Sequence, residues 1–550
     1  MPSPIKANVL EQLLGNYHDK KYLIDGLTYG LRISYSGDRT VSTICNNSAS
    51  ARENPHAVDE KLALEIKKGR LGGPFLFPPF SVFKTSPIAI REKSNGKFRL
   101  LHNLSYPYDM SSINYNISED NASVKYKKLD DAIHIVNQLS QVNNPPFMCK
   151  SDIENAFRLL PIHPDDYKLL GFTWRGKYYY DKCLPMGCSS SCAIFERFSD
   201  GLVYILKEIF NVRYCVKVLD DFLFISNSKV LCQQYLDFFS KLCNMTRIPI
   251  AYEKTTRPDT IIIFLGIELD SVGMTARLPD DKLVKYQGIV QVMLEAESLS
   301  LKELQSAIGN LMYATCIIAP GRAFLRRLYS LVCGHTNPRT KIPINAEAKK
   351  DLSIWAQFLV ILNSKQIISV SQWVNANDIN MYTNASKLGY GGTYGKSWIQ
   401  GHWPQLWQLF SIFLLELYPI YILIKMFSYK IRNSRITINC DNTSVVQILN
   451  KQSSKDKAIM DILRPMILCL INNNITLHAV HIPGKNNILA DFLSRQEVIP
   501  SETGCQEEER RLAEVDSNLA LQSKLMRGMA KNRSVVPDEL LPQNFVFSMT

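Results

Sequence analysis

The sequence lacks a paired-cysteine signature. Its 13 cysteines are scattered with no CxxC pair, so no disulfide framework or zinc finger organises it. Cys183, Cys188 and Cys192 form the one cluster, with no histidine close behind them, and reduced buried thiols are expected there. No basic-then-apolar leader opens the chain. The one membrane-like run, "LFSIFLLELYPIYILI" from Leu409 to Ile424, is short and contains Glu416 and Pro419. It reads as a buried helix rather than a membrane span. No internal repeat is visible. These absences point away from secreted, membrane and repeat classes and toward an intracellular chain, in cytoplasm or nucleus.

What is present is an ordinary globular composition, 46% hydrophobic and 21% charged over 550 residues. That length exceeds one core and suggests about three or four units. The 63 Lys and Arg against 51 Asp and Glu give a net charge of +12, which favours an anionic partner such as nucleic acid. Between Lys61 and Arg99 there are nine basic residues and two acidic ones, a surface suited to phosphates. "GGPFLFPPF" marks a boundary near residue 75. From about 145 to 275, short apolar runs alternate with turn signals around one helix at about 189–210. Residues 280–335 read as helical, opened in part by the capping box Ser300 to Glu303, with Arg322, Arg326 and Arg327 as a basic face on the last helix. A second strand–helix alternation runs from about 378 to 495, and a polar tail follows.

The most informative stretch is "VKVLDDFLFIS", which places Asp220 and Asp221 in a turn between two β-rich runs. Aspartate is common in turns, but adjacent like charges concentrated in one invite a cation. In "MCKSDIENAFRLLPIHPDD", Asp152 ends an apolar strand, where a neighbouring strand would let it share that cation. Hard cations such as Mg²⁺ take few protein oxygens and complete their shell with water and phosphate. Two such ions activate a 3′-hydroxyl and stabilise a leaving pyrophosphate.

The order Asp152, "LPMG" at Leu184 to Gly187, "VLDD" and "FLG" at Phe264 to Gly266 resembles the palm of reverse transcriptases. "GPFLFPPF", "SPIAIREKSNGKFRLLHNLSYP", "AFRLLPIHPDDYKLLGF" and "APGRAFLRRLY" resemble the DIRS-type retroelements, which pair the polymerase with a tyrosine recombinase. The resemblance implies Asp152, Asp220 and Asp221, with the Ile153 carbonyl, as ligands of two Mg²⁺ ions, for which Mn²⁺ can substitute. It implies Phe157 as the gate against a ribose 2′-hydroxyl and Lys93 and Arg99 as triphosphate contacts. Gly187 would allow close backbone approach. Lys254 would lie near the incoming phosphates, although "YEKTT" also reads as a solvated turn. Val218 departs from the family, which usually carries an aromatic two residues before the aspartate pair.

Downstream, "MYTNASKLGYGGTYG", Glu416 in its apolar helix, Asp441 after "RITINC", and His481 and Asp491 in "HAVHIPGKNNILADFLSR" resemble the RNase H fold. That resemblance implies Glu416, Asp441 and Asp491 as metal ligands and His481 as an accessory to product release, though His481 also fits a plain strand position. The family's "TDAS" is "TNAS" here, so Asn384 stands where the first acid is expected, and hybrid cleavage is expected to be severely reduced.

Together these readings give an α+β fingers, palm and thumb polymerase followed by an α/β RNase H-like domain. The expected boundaries are an N-terminal extension at 1–75, fingers and palm at 76–275, thumb at 276–335, connector at 336–376, RNase H-like domain at 377–495 and tail at 496–550. The expected partners are an RNA template, a DNA primer, an RNA–DNA hybrid and dNTPs, with no membrane. The rival reading is a catalytically degenerate nucleic-acid-binding remnant of a mobile element.

Overall fold

The structure, a computed structural model, describes residues 3–92, 96, 98–140, 144–363, 365–366, 381–395 and 397–495. The chain divides into two compact units, Met1–Ala276 and Arg277–Thr550. The expected tail at 496–550 lies outside the described residues, as does most of the connector's second half.

In the first unit, strands β1 (Leu71–Phe75), β2 (Ile88–Glu92) and β3 (Phe98–His102) precede the central strand β4 (Phe147–Asp152). Strands β5 (Gly171–Trp174) and β6 (Lys177–Asp181) lead into helix α1 (Ser191–Glu208). Then come β7 (Cys215–Val218), β8 (Asp221–Ser226), helix α2 (Lys229–Thr246) and β9 (Thr256–Asp259). The main sheet runs β7-β8-β4-β9 and is antiparallel throughout. Phe222, Leu223, Phe224 and Ile225 are all buried, the continuous apolar run required of a strand covered on both faces. Phe195, Phe198, Leu202 and Ile205 of α1 and Leu236 and Phe239 of α2 share its core.

The segment expected as an N-terminal extension is part of that core. Leu10, Leu14, Leu23, Leu27 and Leu31 pack in the same cluster as Phe222 and Phe239, and the Lys6 N–H donates to the Thr246 carbonyl at 2.9 Å. The i, i+4 leucine pairs carried the signal, but the helices Ala7–Leu13 and Lys20–Tyr29 are short. Their amphipathic stripe is diluted by the polar loops around them.

The second unit opens with helices α3 (Asp280–Glu295), α4 (Leu301–Ala314) and α5 (Ala346–Ile361). The Ser300–Glu303 capping box forms at the start of α4. Arg327 is not on an open basic face. It is paired to Asp351 at 2.7 Å and Glu347 at 2.6 Å, because Asp351 is buried on α5 and an unpaired buried carboxylate is costly.

A five-stranded sheet follows, built from β10 (Tyr382–Ala385), β11 (Gly389–Tyr394), β12 (Ser397–His402), β13 (Arg435–Cys440) and β14 (Thr476–His481). Its order is β12-β11-β10-β13-β14, with an antiparallel meander first and parallel β10–β13 and β13–β14 pairs after it. Helix α6 (Ile412–Phe427) is the apolar run, and α7 (Thr443–Lys451), α8 (Lys457–Asn472) and α9 (Ile488–Ser494) complete the unit. Among the described residues no helix is long and apolar enough to cross a membrane. The sheet order and helix placement are those of the expected RNase H-like fold.

Candidate active site

In the first unit, the β4–β8 register sets Asp152 directly opposite Asp221, the spacing at which facing side chains meet. Asp220 occupies the β7–β8 turn, and its carbonyl accepts the Ile153 N–H at 3.0 Å. The three carboxylates therefore come from two neighbouring strand ends. Burial, reinforced by the Asp152 charge, holds the Asp220 carboxyl above its usual range. Burial pushes Asp221 up to about 6, with Lys150 opposing and Asp152 and Asp220 adding to it. This concentration of repelling oxygen donors fits a hard divalent cation.

A cleft of about 960 Å³ opens over this cluster, lined by Asp152, Asp220, Arg99, Phe157, Gly187 and Lys254. The six lie up to 155 residues apart in sequence (Arg99 to Lys254), and the fold gathers them. Lys61 and Lys68, from the basic segment, line it too. Lys93 lies outside the described residues. Lys254 ends a short 3₁₀ turn and reaches both Asp152 oxygens, at 3.0 and 2.9 Å. Burial lowers its pKa, but the bond to Asp152 outweighs this and Lys254 holds its proton above the usual lysine range. Phe157 is half-buried, edge-on to Phe195 with ring centroids 5.5 Å apart. Asn155, at φ +55°, turns the chain from β4 into that phenylalanine.

Gly187 has φ +127°, and a Cβ there would sit 1.9 Å from the His102 carbonyl oxygen. The close approach is fixed by the His102 N–H to Met186 carbonyl bond at 3.1 Å and by Asn114 Nδ2 on the Gly187 carbonyl at 2.8 Å. Gly187→Ala is expected to destabilise the first unit by about 2–3 kcal/mol, read as a lowered urea midpoint at unchanged slope.

In the second unit the expected acids meet only in part. Among the described residues of this unit, Glu416, Cys440 and Asp441 gather, with their potential ligand atoms within 4.8 Å of one another. Glu416 is 5% exposed on α6. Its Oε2 and the Asp441 Oδ1 are buried without a hydrogen-bond partner, which suits a cation. Asp491, on α9, is otherwise engaged. Its Oδ1 accepts the Asn384 amide at 2.8 Å, and Arg495 Nε reaches its two oxygens at 3.1 and 3.0 Å. Asn384, 6% exposed at the end of β10, thus supplies a donor where a carboxylate would supply a further acceptor. His481 is exposed beside Cys440 in the β13–β14 register. Cys440 was not anticipated, and its signal was its place immediately before Asp441.

Burial, with Asp441 and then Asp491 adding repulsion, pushes the Glu416 carboxyl from 4.5 up to about 8. The folded state therefore prefers the protonated acid. In the absence of divalent cations this contribution to stability is full below about pH 4.5 and is lost as pH rises through about 8. Thermal unfolding of the second unit in chelator is expected to fall between those limits, and Glu416→Gln to flatten the slope.

Residues 90–269 match the family described as reverse transcriptase (RNA-dependent DNA polymerase). The Pro-Pol polyprotein of feline foamy virus is 30% identical over 181 residues, which is 33% of this chain and 14% of that protein. A putative enzymatic polyprotein of cassava vein mosaic virus is 22% identical over 463 residues, 80% of this chain and 62% of that one. The chain thus spans less than two thirds of either relative. A foamy viral protease-reverse transcriptase, solved in complex with an RNA/DNA hybrid, shares the fold at a TM-score of 0.50 and 16% identity, over 91% of this chain and 64% of that one. Residues 90–269 are thus similar to the reverse transcriptase domains of viral Pol polyproteins.

Proposed function

We propose that this chain is an RNA-directed DNA polymerase of a retrotransposon, extending a primer 3′-hydroxyl with dNTPs on an RNA or DNA template. The observation that carries the reading is the cluster of Asp152, Asp220 and Asp221 at adjoining strand ends, the first two lining a cleft that also holds Lys61, Lys68 and Arg99. Asp152, Asp220 and Asp221, with the Ile153 carbonyl, would hold two Mg²⁺ ions. When bound, these lower the pKa of the primer hydroxyl and neutralise charge on the departing pyrophosphate. Arg99 suits bidentate contact with phosphate oxygens, and Lys93, six residues before it in sequence, supplies a second charge. Lys254 orients Asp152 through its paired contact. Phe157, braced by Phe195, closes the space a 2′-hydroxyl would need. The quoted motifs around residues 74–107 and 156–172 support placement among DIRS-type elements.

The RNase H-like unit is folded but impaired in hybrid cleavage, because Asn384 donates to Asp491 instead of completing a set of four acids. It is suited to hold hybrid duplex without cutting it. Primer extension on an RNA template with dNTPs and Mg²⁺ tests the whole reading. Product with dNTPs supports it, product with rNTPs alone assigns an RNA-synthesising enzyme, and no product assigns the binding remnant.

A further inference from the structure

Two charged side chains of the palm lie buried beneath the carboxylate turn without joining it. Lys217, on β7, is 4% exposed, and Glu196, on α1, is 8% exposed. The Lys217 ammonium is 2.7 Å from Glu196 Oε1 and 2.9 Å from Asp200 Oδ1. It also donates to Ser199 Oγ at 2.9 Å and to the Glu196 carbonyl at 3.1 Å. The second Glu196 oxygen, Oε2, accepts the Leu219 N–H at 3.1 Å. Leu219 immediately precedes Asp220 and has φ +54°, a left-handed conformation that a bulky residue adopts only when its surroundings hold it there. On the other flank of the turn, the Asp220 carbonyl is held by the Ile153 N–H at 3.0 Å.

We propose that Glu196 and Lys217 are positioning residues that aim the catalytic turn. The buried ammonium fixes one carboxylate oxygen, and the other pins the Leu219 amide, so the Asp220 and Asp221 side chains leave the turn in one direction. Neither residue touches substrate. The chemistry is specific to a carboxylate, which offers an acceptor oxygen to each of two donors, whereas an amide offers only one. The catalytic part of this inference rests on the polymerase reading above, and the structural part does not.

Two double variants separate the anchor from the buried charge. Glu196→Gln with Lys217→Met removes both charges but leaves a carbonyl for the Leu219 N–H. Glu196→Leu with Lys217→Met removes both charges and the acceptor. The Gln/Met chain is expected to keep kcat for primer extension within about threefold of wild type. The Leu/Met chain is expected to lose about tenfold to a hundredfold in kcat, with KM for dNTP and affinity for primer–template unchanged. Hydrogen exchange at the Leu219 amide is expected to be slow in wild type and Gln/Met and fast in Leu/Met. Should Leu/Met fail to fold, Glu196→Gln alone makes the same comparison, since the ammonium claims its single acceptor and frees the Leu219 amide. Wild-type kcat together with a protected Leu219 amide in the variants lacking the acceptor overturns the proposal. If wild type extends no primer on any template, the polymerase reading fails by itself, and the exchange measurement still decides whether Glu196 anchors the turn.

Discussion

Asp220→Asn should abolish primer extension, by a factor of at least about 10³ in kcat, while leaving the fold intact. The side chain keeps its shape, and the bond from Ile153 N–H to the residue-220 carbonyl is a main-chain contact that the substitution does not touch. What is lost is a negative oxygen in a site where the transition state gains charge on both the attacking and leaving oxygens. The carboxyl of Asp220 is already held above its usual range by burial and by Asp152. Its removal therefore relieves repulsion, and thermal stability in chelator is expected to stay level or rise. Lost extension with retained or raised Tm identifies a metal-holding role. Retained extension would reassign the cluster to structure and leave Asp152 and Asp221 without their neighbour in the proposed chemistry.

The second large effect is a gain. Asn384→Asp is expected to raise Mg²⁺-dependent cleavage of the RNA strand of a hybrid by about tenfold to a hundredfold, given what single changes around a metal cost in such sites. The same change exchanges the 2.8 Å amide bond to Asp491 for two facing carboxylates, beside a Glu416 already pushed up to about 8 by burial and by its acidic neighbours. Without metal the variant is therefore expected to unfold at lower temperature than wild type, and Mg²⁺ to restore it. The double signature, cleavage and metal-dependent stability together, separates a rebuilt site from a trace contaminating nuclease. Unchanged cleavage with an unchanged Tm would show that Asn384 is not what limits the unit.

How much of this could be read from the chain alone depended on range. Asp152, Asp220, Asp221 and Asp441 stood out because each follows or interrupts a β-rich apolar run, so strand-end geometry was implied locally. Glu416 was visible as the one acid in a run of apolar residues. The order of the acids, with the motifs between them, then carried the resemblance to the two folds. The partners did not show. That Lys254 would close on Asp152, 102 residues earlier, or that Asn384 would turn its amide to Asp491, 107 residues later, is set by packing across a sheet. Lys217 was readable in hindsight as a charge inside the apolar run "CVKVL", where it and Val216 are both buried and a buried charge demands a counter-ion. Arg327 misled for the opposite reason, since helical spacing groups it with Arg322 and Arg326 while Asp351 on another helix decides which way it faces.

The docking of the N-terminal helices into the palm core also bears on synthesis. The Lys6 amide meets the Thr246 carbonyl, so the helix Ala7–Leu13, once out of the ribosome, must wait for some 240 further residues before its apolar face is covered. At translation rates of about 5–20 residues per second that wait is roughly 10–50 s. During it Leu10 and Leu14 remain open to solvent and to other nascent chains. Chaperone occupancy of this segment, released once the strand after the Asp220–Asp221 turn and its following helix have emerged, is the expected cellular cost of closing the core with residues so far upstream of it.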